Sequence, residues 1–428
     1  MELDSPASHP HIPAVRTPEH STCPASPGDT SRGERLREVA RLFTRLGFTA
    51  FGGPAAHVAM MEDEVVHRRR WLSRQQFLDL VALLNFIPGP NSTELAIHLG
   101  LLRAGYPGLV VGGVCFILPA VLIILPLAWA YVRFGSLPQV LEGLAGVNAA
   151  VVAVLGAACY RYAKTALKDD FTSGVGVLAA AGAWVLRRNE VRQSELIVLA
   201  AAGLAGTVWH AATVGRATLM SLALPLPLTW FAQLLPVADG QPKARLGEVA
   251  LFFLKVGATL FGSGYVLVTY LDTGLVEQRQ WLTERQLLDS IAVGQVTPGP
   301  LLTTATFVGY LLGHRTYGGV GGGVAGAVVA TACIFLPAFV LVALFAPLLP
   351  RLRRNAYAAA ALDATNAAVA ALVFVVTVEL ATAALRHPVS LAIAAASSLV
   401  LFVWNVNSTW VVLGGGAAAY AAWCMNLV

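Results

Sequence analysis

Apolar runs long enough to cross a bilayer recur along this chain, and they leave it few folds to choose from. They cover Tyr106 to Tyr131, Val140 to Ala158, Leu196 to Val214, Val324 to Leu348, and Val411 to Cys424 with its flanks. A helix needs about 20 such residues to span a hydrocarbon core of roughly 30 Å. Backbone polar groups in that core find partners only in helices or closed barrels, and a barrel would need an alternation that these runs lack. Composition agrees: of 428 residues, 56% are hydrophobic and 12% charged, whereas a soluble domain carries roughly 25% charged residues. The expected fold class is an all-α polytopic membrane protein.

The same features limit function. A net charge of +5 and a pI ≈ 9.0 would suggest nucleic-acid binding in a soluble protein. Here the Lys and Arg sit in short loops between apolar runs, where they signal topology, and no nucleic-acid partner is expected. Cys23, Cys115, Cys159, Cys333 and Cys424 are scattered without a C-x-x-C pair, so neither a disulfide framework nor a cofactor or redox site is expected. Residues 1–33 are rich in Pro, Ser, His and Thr and contain no apolar segment, which reads as a disordered tail and not a signal peptide. Its His9, His11, His20 and Cys23 lack the spacing of a metal site.

A self-comparison shows a duplication. LREVARLFTRLGFTAFGG from Leu36 matches LGEVALFFLKVGATLFGS from Leu246, and RRWLSRQQFLDLVALLNFIPGP matches RQWLTERQLLDSIAVGQVTPGP, at an offset of about 210. Further on, FILPA ending at Ala120 matches IFLPA ending at Ala338 and VNAAVVA matches TNAAVAA, so the second copy holds a short insertion near Gly318 to Gly326. The expected organisation is a tail (1–33), a first repeat (34–216), a proline-rich connector (217–244) and a second repeat (245–428). Basic residues follow the fourth apolar stretch in the first repeat (Arg161, Lys164, Lys168) and precede its equivalent in the second (Arg351, Arg353, Arg354). Under the positive-inside tendency that shift points to inverted-topology repeats, which in secondary transporters place the binding site between the halves. Arg187, Arg188 and Arg192 resist the assignment by making the next loop basic as well.

Each repeat interrupts a membrane segment with a Pro-Gly-Pro: Pro88, Gly89 and Pro90, then Pro298, Gly299 and Pro300. Upstream, Ser73 with Gln76 and Thr283 with Gln286 have capping-box spacing, which starts helices at about residues 74 and 284. Pro88 lacks a donor and disfavours helix before it, so the first of these helices stops near Phe86. Pro90 then suits the first position of a new helix running to about Ala104. Each piece, roughly 20 Å long, is too short to span alone, leaving either one broken spanning helix or a re-entrant hairpin. Irregular backbone at membrane depth survives only when buried in protein or lining a wet cavity.

Such a break has chemistry. The new helix presents N–H groups near Asn91 and Ser92 together with its positive dipole end, and the side chains of Asn91, Ser92 and Thr93 add neutral donors, a set suited to an anion. Gly52 and Gly53 can break the preceding helix in the same way, with Pro54 opening the next. In the second repeat Leu301, Leu302, Thr303 and Thr304 replace Asn91 to Glu94, so Thr303 is its candidate contact and the first repeat is expected to carry more of the ligand.

Ionisable residues in membrane segments are functional candidates by default. His57, Met61 and Glu64 share one helix face, and Asn91, Glu94 and His98 another. His57, Glu94 and Glu64 are therefore candidate proton carriers, with a structural role for each as the alternative. Arg45, matching Lys255, is a candidate anion counter-charge, or else joins Arg103, Asp79 and Asp289 in interfacial ion pairs. Asp63, His67 and Arg68 to Arg70 read as an aqueous loop. No G-x-S-x-G, H-E-x-x-H or Walker loop occurs, so enzymatic activity is not expected.

The stretch FGGPAAHVAMMEDEVVHRRRWLSRQQFLDLVALLNFIPGPNSTELAIHLG resembles the signature of the chromate ion transporter family in its long two-domain form, and the resemblance extends over nearly all of the chain after the tail. It implies a multi-pass protein of the bacterial inner membrane that exports chromate as a proton-coupled antiporter, driven by the proton motive force, and so confers chromate resistance. The implied partners are chromate, protons and the lipid bilayer, with sulfate as competing substrate and a homo-oligomer left open. Chromate and sulfate are both tetrahedral dianions, so donors at helix N-termini would accept either. EDEV is more acidic than the family pattern, and the second repeat keeps Pro-Gly-Pro but loses the Asn-Ser-Thr. An anion channel built on the same donors is the alternative to a carrier.

Overall fold

A computed structural model describes residues 31–84, 87–189, 191, 193–214, 244–261, 264–346, 356–404 and 406–425. The tail with its His9, His11, His20 and Cys23, nearly all of the connector, Phe86, Arg192, Arg351, Arg353 and Arg354 lie outside the described residues. Within them the chain is helical, with no strand among the described residues. The first half runs α1 (Arg32–Thr49), α2 (Pro54–Glu62) prolonged by a π-helical turn (Asp63–Arg68), α3 (Arg74–Leu84), α4 (Asn91–Phe134), α5 (Pro138–Ala166), α6 (Asp170–Arg188) and α7 (Ser194–Val214). The second half repeats that order. It comprises α8 (Leu246–Thr259), α9 (Val266–Leu271) with its own π-helical turn (Asp272–Glu277), α10 (Glu284–Val296) and a short 3-10 turn (Leu301–Thr303). Then follow α11 (Thr304–Tyr317), α12 (Gly319–Phe345), α13 (Ala356–Ala384), α14 (Pro388–Val403) and α15 (Ser408–Cys424). Five of the described helices, α4, α5, α7, α12 and α13, are long and apolar enough to cross a membrane. The chain is an all-α polytopic membrane protein.

Local chemistry accounts for the helix starts. Ser73 Oγ accepts from the Gln76 N–H at 3.2 Å while Gln76 Oε1 accepts from the Ser73 N–H at 2.9 Å, satisfying two donors that a helix start leaves unpaired. Thr283 and Gln286 do the same for α10, and Pro138 and Pro388 occupy first-turn positions where a missing N–H costs nothing. Pro90 departs from the expectation by one position: it is the N-cap, in extended backbone, and its carbonyl accepts from Thr93 (2.8 Å) and Glu94 (3.0 Å).

α4 is not one rod. Ala104 and Gly105 leave helical geometry, Gly105 at φ 69°, and the chain turns back so sharply that the backbones of Gly100 and Gly108 touch. The second half makes the same reversal between α11 and α12 at Gly318 (φ 74°) and Gly319 (φ 61°). The left-handed region costs a residue with a Cβ about 1–2 kcal/mol, which is why glycine turns both hairpins.

The two halves are interleaved. α5 packs against α14 and α15 of the second half, α13 packs against α6 and α7 of the first, and α5 and α13 pack on each other. In lipid there is no hydrophobic gain from joining two helices, so close packing of small side chains has to hold them. Ala149, Ala150 and Ala153 on α5 and Ala364, Ala367, Ala368 and Ala371 on α13 are all buried. A separate core of Phe43, Leu46, Phe77, Leu95 and Phe116 is completed by Ala338 and Val342 of α12.

Candidate functional site

The first break follows α1. Gly52 (φ 101°) and Gly53 (φ 82°) take backbone that a side chain would strain, and Pro54 opens α2. One turn on, His57 is 2% exposed and its Nε2 lies 3.1 Å from the Ala50 carbonyl. A carbonyl can only accept, so Nε2 carries the proton. Nδ1 is left as a buried acceptor with no partner among the described residues.

The Ala50 carbonyl also accepts from the Gly299 N–H at 3.0 Å. Both of its lone pairs are therefore used, one by α2 of the first half and one by the Pro-Gly-Pro of the second. This joins a break from each half. Around it lies a cleft lined by Gly52, Gly53 and His57 on one side and by Tyr265, Gln295 and Thr297 on the other. Tyr265 and Gln295 share this wall, and Gln295 Nε2 is buried without an acceptor among the described residues. None of the lining residues is an Arg, Lys, Asp or Glu.

The Pro-Gly-Pro of the first half is buried at Pro88, Gly89 and Pro90. A Cβ on Gly89 would collide with the Glu94 carboxyl, so that side chain folds back over the break it follows. Glu94 and Thr93 are both 0% exposed, and neither Glu94 oxygen nor Thr93 Oγ1 has a hydrogen-bond partner among the described residues. Ser92 and His98 are buried beside them, while Asn91 lines a cavity of ≈ 400 Å³ with Ala82, Tyr162 and Asn366. In the second half Pro298, Gly299 and Pro300 repeat the break, but Thr303 is 1% exposed and its hydroxyl donates to the Pro300 carbonyl at 2.7 Å.

Arg45 and Glu64 belong to a different assembly. They form an ion pair with each other, Glu64 also meets Arg68 (3.1 Å) and Arg69 (3.3 Å), and Glu38 holds Arg69 (3.1 Å) and Arg103 (2.8 Å). Arg69 and Arg103 both stand over the Trp71 ring. Seven residues, or about 10 Å of helix, separate Glu64 from His57. A second charged group gathers Asp272, Glu277 and Glu379, whose oxygens lie within 4.8 Å of one another. The Arg187 guanidinium sits among them, 2.7 Å from Glu277 and 2.9 Å from Glu379, and already supplies the positive charge a metal would bring.

Comparison with known proteins matches residues 37–207 and again 247–420 to the chromate transporter family. The chain belongs to the chromate transporter family. Similar relatives are a chromate transport protein of Cupriavidus metallidurans, 34% identical over 73% of this chain and 74% of its own length, and one of Pseudomonas aeruginosa, 32% identical over 88% and 90%. A probable chromate transport protein of Synechococcus elongatus is 30% identical over 75% and 78%. No solved structure matches. Within this transporter, Gln295, Tyr265 and Thr297 are cleft residues that motif reading passed over. A signal for Gln295 existed: it stands three residues before Pro298, and Asn85 stands three before Pro88, so each repeat places an amide there.

Proposed function

We propose that this chain is a secondary active carrier that exports chromate across the bacterial inner membrane and thereby confers chromate resistance. What carries the reading is the cleft in which Gly52 and Gly53 of one half meet Gly299 of the other, a space of ≈ 10 Å³ that has to widen to take a tetrahedral anion, with a Gln295 amide at its wall that is buried without an acceptor among the described residues. A tetrahedral dianion asks for several neutral donors placed around it, and helix breaks supply them without burying fixed charge. Sulfate offers the same oxygens and is the alternative substrate.

Energetics set the direction. Across a potential negative inside, each elementary charge is worth about 2.3 kcal/mol per 100 mV, so a departing dianion runs downhill electrically. Glu94 then decides the coupling. An ionised carboxyl repels a dianion by about 4 kcal/mol for each pair of charges near 4 Å at an effective dielectric of 20, so an anion that passes the first break, where Glu94 is buried without a partner among the described residues, favours the neutral acid. Export on these terms draws on the electrical part of the proton motive force, and proton antiport, with Glu94 or His57 as the carrier, adds its chemical part.

The test is chromate uptake into inverted vesicles holding this protein, under an interior-positive potassium diffusion potential and with sulfate as competitor. Saturable uptake that grows with the potential supports the carrier. Flux that never saturates would make it a channel, and sulfate flux without chromate flux would reassign the substrate.

A further inference from the structure

The repeat relates the two halves residue by residue, yet their Pro-Gly-Pro helices sit in unlike surroundings. α10 is enclosed by α4, α5, α13 and α15, whereas α3, its equivalent, rests mainly on α4. Asp289 of α10 is 1% exposed and takes hydrogen bonds from Tyr131 Oη (2.6 Å) and Asn148 Nδ2 (2.8 Å), which ties α10 of the second half to α4 and α5 of the first. By the repeat, Asp289 corresponds to Asp79 and Asn148 to Asn366. Those two are not joined. Asp79 accepts from Gln75 on its own helix at 3.1 Å, Asn366 accepts from Tyr162 Oη at 3.0 Å, and the ≈ 400 Å³ cavity is lined by Ala82 of α3 on one side and Asn366 on the other. Lys168 and Asp363, paired at 2.6 Å, also line it.

One contact made between the halves and replaced by a cavity at its repeat-related position is what a rocking pair of repeats shows when stopped at one end of its cycle. We propose that this cavity is the open vestibule through which a tetrahedral dianion reaches the helix breaks, and that in the opposite state Asp79 closes on Asn366 as Asp289 closes on Asn148 here. The inference rests on the transport reading above. Exchange of the two arrangements closes α3 against α13 and opens a matching space between α10 and α5. Asn91 lies in the vestibule wall, so the first polar donor of the α4 start is exposed when the vestibule is open and covered when it shuts. Asp79 and Asp289 are in this scheme positioning residues that set which face is open.

The test reads shape and transport separately, on the full chain in right-side-out and inverted vesicles. Ala82→Cys and its equivalent Ala292→Cys, which is 3% exposed, are each treated with a membrane-impermeant methanethiosulfonate, with the unaltered protein as control for its own cysteines. Ala82→Cys should label from one face and Ala292→Cys should be protected. Adding Tyr131→Phe removes one hydrogen bond to a charged partner without opening a hole, and should raise labelling of Ala292→Cys from the other face about 10-fold while slowing it at Ala82→Cys. The double variant Asp79→Cys with Asn366→Cys should cross-link under chromate turnover and stop uptake.

Accessibility that ignores Tyr131→Phe, or failure of the double variant to cross-link during turnover, would reduce the Asp289 contact to static packing. Alternating accessibility in vesicles that move no chromate would instead overturn the substrate and leave the latch standing.

Discussion

The two Pro-Gly-Pro breaks share a backbone and differ in nearly everything attached to it. Gly89 and Gly299 both have positive φ, 151° and 98°, and the turns before their helices place Arg70 and Gln280 at φ 52° and 53°. Around the first break, α3 buries only Phe77, Leu80 and Leu84, and Asn91, Ser92, Thr93 and Glu94 follow it. Around the second, α10 buries eight residues from Leu287 to Gln295, and Leu301, Leu302 and two threonines whose hydroxyls serve nearby carbonyls follow it. An interruption kept in both copies is therefore a mechanical requirement of the fold. On the proposed function, the polar set kept in one copy supplies the chemistry.

Disturbing the shared backbone should have the largest effect. A Cβ at Gly299 would lie 2.9 Å from that of Ala120, in backbone that a β-branched residue does not adopt. Gly299→Val should cost about 3 kcal/mol or more and leave little monodisperse protein in detergent. Gly318→Ala is the control, because φ 74° is also left-handed there but the space is open. It should lower thermal stability by only about 1–2 kcal/mol. Equal losses at the two sites would mean that backbone strain alone, and not the contact between halves, matters at Gly299.

Next comes the acid that only the first break possesses. With Glu94 ionised the anion is repelled, so wild-type chromate flux should fall as pH rises; Glu94→Gln, always neutral, should keep flux and lose that dependence. Its counterpart Thr304 donates to the Leu301 carbonyl at 2.8 Å, and Thr304→Val should leave the pH profile alone. A Glu94→Gln profile that matches wild type would return Glu94 to a structural role. Smaller again is the exchange of one donor. Asn91→Leu, which copies Leu301 into the first half, should raise the KM for chromate about 10-fold, the worth of a hydrogen bond to a charged group. Leu301→Asn should give no matching gain, since that position is buried and an unpaired amide there costs stability.

What could be read from the sequence was local. Capping boxes at Ser73 and Thr283, helix breaks at the prolines and the stop at Ala104 each depend on neighbours within a few residues, and a dihedral preference acts at that range. The exchange of α14 and α15 onto α5 depends on which alanine faces meet, and apolar runs of similar composition do not encode it. Arg45 and Glu64 were both visible as candidates, but their pairing needs α1 laid against the π-helical turn after α2, a tertiary fact. Gln295 matches Asn85 in the repeat, but a lone amide three residues before a Pro-Gly-Pro has no local signature that separates a cleft donor from a helix-surface polar group.

That ion cluster supplies the smallest test and the second divergence between the halves. Burial pushes the Glu64 carboxyl up, but hydrogen bonds and charge from Arg45 and Arg69 outweigh it and hold it below the ordinary carboxylate value of 4.5. A depressed carboxyl stabilises the fold above its unfolded pKa and loses that contribution as pH falls through the folded one. Glu64→Gln should therefore cost about 1 kcal/mol at neutral pH, discounted because the Arg45 and Arg68 partners are half exposed or more. The thermal difference from wild type should shrink once the pH drops below the carboxylate range, and the pH profile of chromate flux should not change. In the second half the same position is Gly274, whose Cβ would strike the Phe252 ring, while Lys255, the match of Arg45, lines a pocket with the buried Glu195 of α7. Gly274→Glu consequently cannot rebuild the pair and should lower stability further than Glu64→Gln does. A stabilised Gly274→Glu variant would show that this turn has room for the carboxylate and that packing against Phe252 is not what keeps it out.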